Sequence, residues 1–177
     1  MESTGGAGWL WWAPFGAAVL HIGEEFVYPG GFASWDREYR PSFRNSITPG
    51  LHFVVNALFL VVCASVAISG MPGAAIVVAG LRLRSAVPAS LSVPGWLALA
   101  ALLFSNAVFH AVGTYRTKRL SPGVRTGLLL YVPIALVGYW HFIRAGQVSA
   151  VAAGVSASLG GSYHLWASLA HRWRSRR

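Results

Sequence analysis

The sequence predicts an all-α, polytopic transmembrane helical bundle of about five spans, forming a single domain over residues 1–177. Three observations carry this reading. The chain is 55% apolar and only 11% charged, whereas soluble domains carry roughly 25% charge, and so small a chain would need that charge to solvate its large relative surface. Apolar stretches of about 20 residues, the length that crosses a bilayer, recur along it. Aromatic residues make up 13% of it, including 8 Trp, as expected where aromatic belts meet the headgroups.

The first span is read at residues 9–28 and the second at 49–69, very apolar in its later half. The third covers 95–114, the fourth 123–143 with Pro133 inside it, and the fifth 147–170. Between the first two lies an aromatic loop, 29–48, in which Phe32, Trp35, Tyr39 and Phe43 recur at near-helical spacing among charges. It is expected to be a short amphipathic segment on the membrane interface, with an irregular, aromatic-anchored loop as the alternative. The enlarged connection 70–94 is interrupted by Gly and Pro, and its apolar core is too short to span. It is expected to be a re-entrant, interfacial or helix-extension piece. In the fifth span Ala150, Gly154, Ser158 and Ser162 recur every four positions, beside Ala153, Ala157 and Gly161. Such a stripe lets helix backbones approach closely, so this helix is expected to pack inside the bundle.

Charge placement orients the spans. The net charge is +9, and the basic residues form short clusters between apolar runs. Arg37, Arg40 and Arg44, then Arg116, Lys118, Arg119 and Arg125, then Arg172, Arg174, Arg176 and Arg177 fall on one side of a five-span chain. Arg82, Arg84 and Arg144 fall on the other. The positive-inside rule puts the C-terminus in the cytoplasm and the N-terminus outside. This clustering argues against nucleic acid as a partner. Residues 1–8 contain no Lys or Arg, unlike a cleavable signal peptide. The single cysteine, Cys63, excludes an internal disulfide and reads as a small buried apolar residue.

The residues that point to chemistry are His21, Glu24 and Glu25 in the first span. Positions i, i+3 and i+4 share a helix face. An acidic side chain in hydrocarbon costs at least about 2.5 kcal/mol on insertion scales, and intramembrane ionisable groups are functional by default. The alternative is that both carboxylates sit in water at headgroup level. Partners recur at matching depth: His52 and Asn56 in the second span, Asn106 and His110 in the third, His164 in the fifth. With alternating helix directions all fall in the cytoplasmic half, as one shared site requires. His141 falls at the opposite end of its span, and His171 reads as part of the basic tail. Imidazole with carboxylate suits Zn or non-haem Fe and, with more oxygen ligands, Mn. The expected metal ligands are His21, His110, His164 and one of Glu24 or Glu25. The other Glu would transfer protons or bridge a second metal, and Asn56 and Asn106 would support catalysis.

His21-Ile22-Gly23-Glu24-Glu25, with Tyr28-Pro29-Gly30-Gly31-Phe32 after it, resembles the HXXEE-motif family of bacterial membrane proteins. Asn106-x-x-x-His110 and Ser121-Pro122-Gly123-x-x-Thr126 look like the family's later motifs. The resemblance implies a small multi-span protein with an active site at the motif, and brings no reaction with it. Thr126 either faces that site or bonds its own helix backbone, and the second is the expectation.

Together these readings give a membrane-embedded, metal-dependent enzyme of the bacterial cytoplasmic membrane. Its substrate would be a lipophilic small molecule or lipid, changed by hydrolysis or by isomerisation or cyclisation. The alternatives are a metal-free isomerase or cyclase using a Glu acid/base pair, a proton-coupled transporter, and a membrane scaffold whose polar groups only pack helices.

Overall fold

The computed structural model describes residues 8–71, 76–78, 81–83 and 88–176. The N-terminal residues read against a signal peptide, together with Arg84 and Arg177, lie outside them, apart from Gly8. The described chain is a helical bundle. Helix α1 is Gly8–Val27, α2 is Gly31–Tyr39 and α3 is Pro49–Ser69. Helix α4 is Ser92–Thr117, and α5 is Val124–Arg144. Two shorter helices close the chain, α6 at Ala150–Gly161 and α7 at Tyr163–Ser175. Of these, α3, α4 and α5 are long and apolar enough to cross a membrane.

Local chemistry sets the helix limits. Thr48 caps α3, its hydroxyl accepting the Leu51 N–H at 3.1 Å, with Pro49 in the first turn. Ser149 caps α6 in the same way through the Ala152 N–H, 3.2 Å. Within α5, residues Gly127–Tyr131 widen into a π-helical turn. Pro133 follows it and has no N–H to donate to the preceding turn, which accounts for the local break in the α-helical ladder.

Helix α4 is the centre of the bundle, with α5 and α6 against it and α1 behind, while α3 leans chiefly on α1. The core lies among Trp96, Leu97, Ala100, Phe142 and Ala18. The Trp96 indole donates to the Leu10 carbonyl at 3.1 Å, which ties α4 to α1 inside that core. Cys63 is buried there, as expected.

Two expectations are corrected, the continuity of the fifth span and the packed face of its small residues. The predicted fifth span is two helices, broken at Ser162. The break leaves Leu165 and Trp166 both donating to the Ser162 carbonyl, 3.0 and 3.2 Å. The small-residue stripe faces the other way: Ala153, Ser156 and Gly160 are buried, whereas Ala150, Gly154 and Ser158 are exposed. Val151, Val155 and Leu159 form an exposed face and small residues cover the rest of α6, so the spacing of the small residues alone could not fix which face packs. The described part of the connection 70–94 contains a short antiparallel hairpin, Ile76–Val78 with Leu81–Leu83, pairing Ile76 with Leu83. The rest of that connection from 72 to 87 lies outside the described residues. The 29–48 segment forms the expected short amphipathic helix at Gly31–Tyr39, and its aromatics turn inward. Trp35 is buried and its ring fills the space where a Cβ on Gly113 of α4 would stand, 2.3 Å away, while Phe32, Trp35 and Tyr39 surround Phe109. Helix α2 therefore caps one end of the bundle.

Candidate metal centre

The polar residues of α1, α3 and α4 converge at the end that α2 covers. Glu25 stands at their centre, 4% exposed. One of its carboxylate oxygens, Oε1, lies 3.4 Å from His21 Nε2 and 3.4 Å from His110 Nε2. The other, Oε2, lies 3.2 Å from His52 Nε2 and accepts from Asn56 Nδ2 at 3.2 Å. The Asn106 amide Nδ2 stands 3.0 Å from His21 Nε2 and 3.4 Å from His110 Nε2. His21, Glu25 and His110 are all buried, and their ligand atoms lie within 4.8 Å of one another.

The far sides of both rings are held as well. His21 Nδ1 meets Thr126 Oγ1 at 2.9 Å, and that hydroxyl donates to Glu24 Oε2 at 2.7 Å. A hydroxyl has one proton, so with Glu24 ionised Thr126 accepts from His21 Nδ1–H. That fixes the tautomer: the lone pair of His21 is on Nε2, facing Glu25. His110 Nδ1 pairs with Ser121 Oγ at 2.8 Å, and Ser121 N–H is itself held by Thr114 Oγ1 at 2.9 Å. Gly123 sits under both rings at φ +94°, where an added Cβ would lie 2.6 Å from His21 Cε1 and 3.1 Å from His110 Cε1. Only a residue without Cβ fits there.

The His21 Nε2 lone pair has the Asn106 amide as a donor at 3.0 Å, and a cation placed between it and Glu25 would take that lone pair instead. N–H···O hydrogen bonds run about 2.7–3.2 Å, against 3.4 Å from Glu25 Oε1 to either imidazole nitrogen. Ligands on a tetrahedral ion with bonds of about 2.0–2.1 Å stand about 3.3–3.4 Å apart. Two imidazoles and one carboxylate form the set found at three-ligand catalytic Zn sites and at non-haem Fe(II) sites, both of which leave positions open. The three residues fit such an ion.

At this point the chain can be placed among known proteins. The family described as "Protein of unknown function with HXXEE motif" matches residues 11–138. The chain belongs to the HXXEE family. No curated protein and no solved structure matches it. The family's motif thus supplies one imidazole and one carboxylate of the cluster, His21 and Glu25.

The remaining candidates divide. Asn56, Asn106 and His52 join the site. Glu24 does not reach the cluster. Its carboxylate accepts the N–H groups of Thr126, 2.9 Å, and Arg125, 3.4 Å, at the start of α5, where helix N–H groups lack partners and favour an anion. In this place it positions Thr126 and, through it, His21. His164 is also outside the three-residue group. Its ring stacks on Phe109 at 4.5 Å and 9°, because the break at Ser162 turns α7 and carries the ring off the expected line. His141 packs against Phe142, apart from the site as expected. His171 bonds Ser46 Oγ at 2.7 Å and stacks on Phe43, so it does more than extend a basic tail. Thr126 faces the site and also reaches the Gly123 carbonyl, 3.3 Å. Sequence reasoning missed the parts played by Ser121 and Gly123, although Ser121-Pro122-Gly123-x-x-Thr126 was the visible signal for both.

A cavity of about 550 Å³ opens beside the cluster, a size suited to a small-molecule ligand. Its walls are mainly apolar, from Val55, Leu58, Phe59 and Val62 of α3 and Leu102 of α4. His21, Glu25, His52 and Asn106 form its polar floor.

Proposed function

We propose that this chain is a membrane-embedded, metal-dependent enzyme acting on a lipophilic small molecule or lipid, by hydrolysis in the first instance. The observation that carries this reading is the placement of His21 Nε2 and His110 Nε2, each 3.4 Å from one oxygen of the buried Glu25, at the floor of an apolar cavity. His21, His110 and Glu25 hold the ion, Zn or Fe before Mn. When bound, it supplies Lewis acidity and an activated water at an open position. Asn56 and His52 orient Glu25 through its second oxygen, and such outer partners commonly tune affinity and basicity. His52 also lines the cavity, so it is the residue placed to pass a proton to the leaving group. Asn106, next to both ring nitrogens, positions the polar end of the substrate.

In this reading the bundle crosses the bacterial cytoplasmic membrane about five times, with α6 and α7 together making the last crossing and the N-terminus outside. The three long apolar helices support it, as does the clustering of basic residues at one end. The site then lies in the cytoplasmic half.

A second reading has one specific support. Three imidazoles surround Glu25 within 3.4 Å, an arrangement that could also relay protons in a metal-free isomerase or cyclase. Elemental analysis of the purified protein separates the two. The first reading expects about one Zn or Fe per chain, lost in Glu25→Gln and His110→Gln variants of wild-type stability. A well-folded wild type that takes up no metal on reconstitution would leave only the second.

A further inference from the structure

The cavity is not uniform along its length, and its gradient describes an occupant. One end is apolar: Val62 lies ten residues beyond His52 on α3, about 15 Å along the axis at 1.5 Å per residue, and Leu58, Phe59 and Leu102 surround that stretch. The middle holds the Glu25 cluster. The other end is lined by Arg174, His171 and Arg40 with Asp36, beside Thr48. Arg174 lies ten residues past His164 on α7, the same distance in the opposite direction.

Two buried polar atoms on these walls have no protein partner among the described residues: the Tyr131 hydroxyl and His164 Nε2. Buried polar groups are satisfied as a rule, so each such atom calls for an explanation. Tyr131 packs its ring on His21 at 4.5 Å, which puts it next to the cluster. The charges at the rim are also unbalanced. Asp36 is committed to Arg40, which chelates it through both carboxylate oxygens. Glu38 pairs with Arg119, and Glu24 and Glu25 are engaged inside the bundle. No described acid is left to face Arg174.

We propose that the occupant is a single-chain anionic amphiphile drawn from the bilayer. Its anionic headgroup meets Arg174, its polar linkage meets Tyr131 and His164 beside the cluster, and its chain runs along Leu58, Phe59 and Val62. It enters sideways between α3 and α7, whose facing residues form the two long walls. This rests on the enzyme reading for the identity of the reacting centre, but binding itself does not need the metal. The size of the cavity holds one chain and not two.

The test is equilibrium binding to the full chain in phosphatidylcholine nanodiscs, with metal content measured on every sample. The probes are oleoyl lysophosphatidate, neutral monooleoylglycerol and cationic oleyl trimethylammonium. The expected result is one saturable site that takes the lysophosphatidate about tenfold or more tightly than either other probe, as a charge-assisted contact would give. Arg174→Gln should remove most of that preference and leave the metal content unchanged. Val62→Trp, which fills the chain end, should abolish binding, while Val61→Trp, on the same helix but not lining the cavity, should not. Equal binding of the three probes, or undiminished binding in Val62→Trp, would overturn the proposal. A charge preference in metal-free protein would sustain it and count against the metal reading alone. Metal-replete protein without the preference would do the reverse.

Discussion

The two sides of α4 are built on opposite principles. Against α6 the helices nearly touch: a Cβ on Gly160 would lie 1.9 Å from the Ala98 carbonyl oxygen, and Ala153 and Ser156 are buried in the same face. Against α3 the helix stands back and leaves the cavity of about 550 Å³. In lipid no hydrophobic driving force pulls helices together, so close van der Waals packing of small residues must hold the bundle. The α4–α6 face supplies that packing, together with the Trp96 core. This lets α3 rest chiefly on α1 and keep a ligand-sized space beside the polar cluster. The comparison shows a scaffold side that fixes α4 and a working side that uses the fixed helix.

If that division holds, substitutions should separate by side. The largest effect on stability is expected from Gly160→Ala. Its Cβ meets backbone that cannot yield, so it should cost about 1–3 kcal/mol, the range for overpacking. Denaturant unfolding in detergent would measure this, and the metal content of the folded fraction should stay the same. Gly123→Ala should strike both properties. A left-handed backbone costs a non-glycine residue about 1–2 kcal/mol, and the Cβ would displace His21 and His110, so metal affinity should fall with stability. Chelator competition reports the first, the unfolding curve the second.

Thr126→Val and Ser121→Ala each remove one ring anchor and leave the ligands. Loss of such an outer contact commonly weakens metal binding about 10–100-fold, and here stability should change little. Glu24→Gln should follow Thr126→Val in direction, and the double variant should add little to either single one, because both act through His21 Nδ1. The smallest effect is expected from Gly154→Ala. Nothing lies within 4 Å of its added Cβ, so stability should move by about 0.5 kcal/mol or less. A large loss there would mean that the exposed face of α6 is packed after all.

Much of this was visible in the residues. Counting positions along alternating helices put His21, Glu25, His52, Asn56, Asn106 and His110 at one end, and the structure brings those six together. Depth could be read because helical rise is constant. Rotation and breaks could not. The packed face of α6 was misread because small residues extend around most of the helix, and the exposed Val151, Val155 and Leu159, which mark its outward side, did not enter the reading. His164 was misplaced because Gly160-Gly161-Ser162 was read as part of a small-residue packing stripe, whereas a Gly-Gly pair followed by Ser also marks a helix break. The division of labour between Glu24 and Glu25 was beyond the sequence, since adjacent residues differ by about 100° around a helix and only the position of α5 decides which one it captures. The inward turn of the 29–48 aromatics was hidden for a similar reason: an amphipathic segment can bury its rings against lipid or against protein, and the pattern is the same.

The central claim is that His21, His110 and Glu25 hold one metal ion. X-ray absorption at the metal edge of the purified protein tests it most directly. The account predicts a shell of about four nitrogen and oxygen ligands near 2.0–2.1 Å with the outer scattering of two imidazoles, reduced to one in His110→Gln. A shell without imidazole scattering, or protein that holds no metal at all after reconstitution, would contradict it.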